Sequence, residues 1–137
     1  MQAADQAGRR AVETADAPEP IGPYTQAVVA DRVLYCSGQV PLDPETGELV
    51  EGGIAEQARR CLRSLAAICE AAGTRLEDAA RMTIYLTEIE SFPAVNEVYG
   101  EFLSEPFPVR STVGVAALPK GALVEIDATV PLGGRTA

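Results

Sequence analysis

The stretch Phe107-Pro-Val-Arg-Ser-Thr-Val-Gly-Val-Ala-Ala-Leu-Pro-Lys-Gly-Ala-Leu-Val-Glu-Ile-Asp-Ala-Thr-Val130 decides the fold. At its end Val124, Ile126, Ala128 and Val130 alternate with Glu125, Asp127 and Thr129. Successive strand side chains point to opposite faces, so residues 122–130 are predicted to form a strand, with Leu123 on the polar face. Residues 111–117 predict another strand, joined to the last by Leu118-Pro-Lys-Gly121. Pro106 and Pro108 interrupt any helix ahead of it and bring Arg110 to its mouth.

Outward from that stretch the periodicity changes. Phe92, Val95, Val98, Tyr99, Phe102 and Leu103 recur at helical spacing, with the Ser91 hydroxyl a candidate cap. Before them Met82, Ile84 and Leu86 alternate, predicting a strand over 81–86. Ile54, Ala58, Cys61, Leu62, Leu65, Ile68, Cys69 and Ala72 predict a long amphipathic helix that Gly73 ends. Arg59, Arg60 and Arg63 fall mostly on its other side, as a solvated polar face. Asp43-Pro-Glu-Thr-Gly47 marks a turn in a loop over 41–53, and residues 25–29 and 33–37 predict a hairpin turning at Ala30-Asp31. Residues 1–17 lack periodic apolar positions and predict a flexible tail. The expected fold is α+β, a single sheet with both helices on one face, over residues 18–132, with residues 133–137 a C-terminal tail.

Composition narrows the chemistry. With 137 residues the chain suits one domain. No apolar run approaches the ~20 residues of a membrane span, and the first residues lack the apolar core of a secretory signal. A cytoplasmic protein is expected. A net charge of −9 with scattered basic residues argues against a nucleic-acid partner. The chain has no histidine, which excludes His-based triads, His-metal sites and His proton shuttles. Cys36, Cys61 and Cys69 form no CxxC pair, and no glycine-rich phosphate loop occurs. The remaining chemistry belongs to Arg, Glu, Tyr, Ser and Thr side chains, backbone groups and water.

Two residues stand out. Arg110 lies between a proline break and an apolar strand, where a guanidinium is partly desolvated and suits a carboxylate fork. The plain alternative is a surface salt bridge. Glu125 faces the polar side of the last strand and can orient or deprotonate a water. By periodicity alone Asp127 is equally placed, and both read equally well as exposed acids.

The pattern Pro108-Val-Arg-Ser-Thr-Val113, Leu118-Pro-Lys-Gly121, Val124-Glu-Ile126 resembles the signature of the RidA (YjgF) family of imine and enamine deaminases. Ile21-Gly-Pro-Tyr24, Ser37-Gly-Gln39 and Asn96 match further family motifs in the expected order. The resemblance implies a chorismate-mutase-like subunit in a homotrimer with sites at the subunit clefts. It implies hydrolysis of a carboxylate-bearing imine, such as 2-iminobutyrate or 2-iminopropionate, to the 2-keto acid and ammonia, with no metal or organic cofactor. Arg110 would hold the carboxylate, helped by Ser37 and Gly38, and Glu125 would position water. Tyr24 would wall the pocket and Asn96 reach toward it. Thr112 stands where many bacterial members carry cysteine, so redox proposals at that position do not transfer. The alternatives are a non-catalytic ligand-binding or holdase member of the fold, and an RNA-cleaving activity.

Overall fold

In the computed structural model, which describes residues 8–133, two helices cover one face of a single six-stranded sheet. The strands are β1 (Arg9–Val12), β2 (Ala27–Ala30), β3 (Val33–Gln39), β4 (Arg81–Leu86), β5 (Val109–Gly114) and β6 (Val124–Pro131). The helices are α1 (Ile54–Ala72), before β4, and α2 (Phe92–Phe102), before β5. Across the sheet the order is β1-β2-β3-β6-β4-β5, with only β4 and β5 parallel. No helix among the described residues is long and apolar enough to cross a membrane.

Both helical stripes close on one core. Cys61, Leu62, Leu65 and Ile68 of α1 and Val95 of α2 are fully buried, against Leu34, Met82, Val124, Ile126 and Val130 of the sheet. Gly73 ends α1 at φ 87°, and Thr74 N–H donates back to Cys69 O at 2.9 Å, a Schellman cap that needs a left-handed residue. The hairpin turns one residue later than expected, at Asp31 and Arg32, both at positive φ, as a two-residue turn matching strand twist requires. Ser91 occupies the cap position of α2, but its hydroxyl makes no cap bond. A short helical turn, Ile89–Ser91, leads into the helix instead.

The expected free tail over residues 1–17 is corrected by β1. Arg9 to Val12 pair antiparallel with Ala30 to Ala27, and Val12 and Ala17 are buried. Gln26, itself 3% exposed, donates from Nε2 to Thr14 O, Ala17 O and Pro18 O and accepts Thr14 N–H at 2.8 Å. Backbone pairing and one buried amide hold this segment, and neither leaves an apolar period in the sequence. Residues 1–7 and 134–137 of the two expected tails lie outside the described residues. Arg60 also departs from a fully solvated face. It is half-buried and donates to Asp16 O and Ser64 Oγ, while burial draws its pKa down.

Candidate functional site

Glu125 is positioned by a fault in the sheet. Along β3 and β6, Cys36 pairs with Ala128 and Gln39 with Ile126, so Ser37 and Gly38 together oppose the single residue Asp127. Such a bulge turns backbone outward and frees a local cradle. Glu125 fills it. A Cβ placed on Gly38 would collide with Glu125 Oε2, so the carboxylate lies directly over a residue that only glycine can supply. A cavity of about 340 Å³ opens beside it, lined by Ile21, Tyr24, Ser37, Gly38, Val40, Pro119 and Glu125.

The walls are tied by short bonds. Ser37 Oγ donates to Thr25 O at 2.6 Å, and Ser37 N–H to Gln26 O at 2.9 Å. Tyr24 Oη accepts Ile21 N–H at 3.1 Å, closing a small turn at the mouth. Burial, and then the nearby Asp127 charge, push the Glu125 carboxyl above the usual carboxylate range. No hydrogen bond or ion pair to its carboxylate occurs among the described residues.

Arg110 lies elsewhere. Its register partner on β4 is Met82, which is fully buried under the helices, so Arg110 faces the helical layer. There its guanidinium stands 4.7 Å from the Tyr99 ring centroid and 5.5 Å from that of Phe92, both on α2. Asn96, Tyr99, Gly100, Phe107, Pro108 and Arg110 line a second cavity of about 450 Å³. The buried Tyr99 hydroxyl lacks a hydrogen-bond partner among the described residues, and burial raises its pKa against the opposing pull of Arg110.

The six site residues expected from sequence therefore fall into two groups. Tyr24, Ser37, Gly38 and Glu125 share one cavity, and Asn96 and Arg110 share the other. Glu125 pairs with Tyr85 on the uncovered face of the sheet, three positions along β4 from the Arg110 level and one strand further in. At ordinary strand spacing that puts their Cα atoms roughly 14 Å apart, with side chains on opposite faces. One chain cannot close both groups on one small molecule.

Several residues at these sites went unread in the sequence. Gln26 fixes the strand start behind Ser37. Gln57 on α1, buried, accepts Leu123 N–H at 2.8 Å and so holds the chain two residues ahead of Glu125. Tyr99 reads as core, and Phe107 lies unremarked between two prolines, but both flank the arginine. An amide within an apolar pattern was the one available signal for Gln26 and Gln57, and it named no partner.

Comparison with known proteins agrees with the motif order. A family model described as endoribonuclease L-PSP matches residues 14–131. The chain is 44% identical over 128 residues to a human protein named 2-iminobutanoate/2-iminopropanoate deaminase, spanning 93% of each. Among solved structures, RidA from an Antarctic Psychrobacter superposes with a TM-score of 0.85 at 45% identity, covering 88% of this chain and 98% of the other. Escherichia coli TdcF with bound serine gives 0.84 at 38% identity, covering 90% and 98%.

Proposed function

The chain belongs to the endoribonuclease L-PSP family, the RidA (YjgF) family, and from that premise we propose that it deaminates reactive 2-imino acids and their enamine tautomers by hydrolysis. The products are a 2-keto acid and ammonia, and short substrates such as 2-iminobutyrate and 2-iminopropionate fit the name borne by the human relative. Glu125 carries this reading. It is a half-buried carboxylate with raised pKa and no bonded partner, lying over the bulge glycine at the edge of a small cavity. Such a group holds a water and accepts its proton as the oxygen attacks the imine carbon. Glu125 returns that proton to the nitrogen, and the carbinolamine expels ammonia as its hydroxyl loses the second proton and closes to the ketone. Tyr24 and Ile21 wall the cavity, and backbone at Ser37 and Gly38 supplies polar contacts.

The substrate carboxylate belongs to Arg110, whose planar fork donates to both oxygens. Because Arg110 and Glu125 lie on opposite faces of the sheet, a complete site draws them from two copies of the chain. A closed homotrimer with one cleft per interface satisfies this with three identical contacts. The uncovered sheet face supports it with exposed Tyr35, Val109 and Val113. Proximity then supplies most of the acceleration, since the imine already hydrolyses unaided.

The test is a coupled assay in which a pyridoxal-phosphate dehydratase generates iminobutyrate. Keto acid is expected to appear faster with this protein than without it. An unchanged rate at saturating protein would favour the non-catalytic binding reading instead.

A further inference from the structure

Tyr85 stands opposite Glu125, yet its hydroxyl bonds elsewhere. On the uncovered face, β4 sets Tyr85 against Glu125 and Thr83 against Asp127. Directly opposed residues are the nearest cross-strand neighbours, and the diagonal is longer. The Tyr85 hydroxyl nonetheless takes the diagonal and donates to Asp127 Oδ2 at 3.0 Å. We propose that Asp127 and Tyr85 are positioning residues for Glu125: Asp127 engages the Tyr85 hydroxyl, and the Glu125 oxygens are left unbonded and basic over Gly38. This rests on the reading of Glu125 as the group that holds the attacking water.

The physical logic has two parts that act in one direction. A phenol donating to a carboxylate stabilises its ionised form and weakens it as a base. A second carboxylate on the same face, roughly 7 Å along the strand, disfavours ionisation by like-charge repulsion. Asp127 removes the first effect from Glu125 and supplies the second. Burial, then the bond to Asp127, raises the Tyr85 pKa, which keeps the phenol a neutral donor.

The other groups around Glu125 do not share this role. Ser37 and Gly38 of β3 carry no charge. Tyr24 lines the same cavity with its oxygen engaged by Ile21 N–H. Lys120 sits on the exposed loop whose Pro119 lines the cavity. Cys61 of α1, beneath the sheet, donates its thiol to Val124 O.

The experiment follows the Glu125 carboxyl by carbon-13 NMR in the assembled full-length protein, beside the pH dependence of kcat/KM in the coupled assay. Asp127→Asn removes the charge but keeps an oxygen for Tyr85, whereas Asp127→Ala also frees the hydroxyl. The Glu125 midpoint and the acid limb are expected to fall in Asp127→Asn and to fall further in Asp127→Ala. Adding Tyr85→Phe to Asp127→Ala should return both to the Asp127→Asn position. The high-pH plateau should drop roughly threefold as the base weakens. A Glu125 midpoint unmoved by Asp127→Ala would overturn the proposal, as would a double variant as low as Asp127→Ala alone. If Glu125→Gln kept the acid limb, Glu125 would not be the water-holding group, while the NMR order would still judge the Asp127–Tyr85 pair.

Discussion

The Glu125 cavity and the Arg110 cavity are built on opposite principles. Around Glu125, polar backbone at a sheet fault surrounds an acid that takes part in none of the ion pairs among the described residues, and burial makes that acid reluctant to ionise. Around Arg110, aromatic rings stack on a cation with no carboxylate from its own chain among the described ion pairs. Each cavity holds one of the two charged groups and neither holds both. A fold that kept the two on the same face of one chain would let them neutralise each other as a salt bridge. On the proposed reading, keeping them apart until copies assemble leaves Arg110 for a substrate carboxylate and Glu125 for a water.

The largest effect should come from the cation. Arg110→Ala is expected to abolish deamination of carboxylate-bearing imines while leaving a folded assembly, checked by the coupled assay and light scattering. Arg110→Lys keeps the charge but loses the fork, a change worth on the order of 1.5–3 kcal/mol, or about tenfold to a hundredfold in kcat/KM. Wild-type acceleration in Arg110→Ala would show that the carboxylate is held elsewhere.

Mixing sharpens it. Arg110→Ala chains, inactive alone, and Glu125→Gln chains, slowed alone, should exceed either variant's activity when unfolded together and reassembled. With random assembly about a quarter of the clefts receive both native residues. No recovery would place both groups in one chain's site.

Glu125→Gln should lower turnover with little change in KM. It should also raise the melting temperature at neutral pH. The Glu125 pKa is raised in the folded protein, so the wild type loses stability as pH climbs through that folded value. The variant's advantage is therefore expected above that value and should vanish in acid. Thermal melts across pH check the sign, and a variant less stable than wild type at pH 8 would contradict the desolvation argument. Gly38→Ala should reproduce the loss of turnover by pushing the carboxylate aside, with Arg110 undisturbed.

The smallest expected effect on chemistry comes from the amino-terminal segment, and it should touch only the Glu125 side. Removing residues 1–17 strips Gln26 of two of its three acceptors, Thr14 O and Ala17 O, and exposes the sheet edge, which should cost on the order of 2–4 kcal/mol of stability. If that deletion melted like the full chain, β1 would not be part of the stable fold.

How legible this protein was depended on the range of the interactions. Strand β4, helix α1 and its Gly73 cap were readable because alternation, helical spacing and a left-handed stop are local properties. The inward face of β6 followed from alternation too, which is why Glu125 and Asp127 stood together on the outward one. Motif order then distinguished them, since spacing alone treats them alike. The inward faces of α1, β4 and β6 and the residue types free for chemistry were set by local pattern alone, whereas the buried Val12 and the exposed Phe92 were not. Only the tertiary structure decided that β6 inserts between β3 and β4, although β5 precedes it in the chain. That pairing sets Tyr85 beside Glu125, opens the bulge at Ser37-Gly38 and puts Arg110 on the far face. Backbone hydrogen bonds between distant strands carry no side-chain period. Register, the bulge and the division of the site between two faces therefore emerge only when the sheet closes.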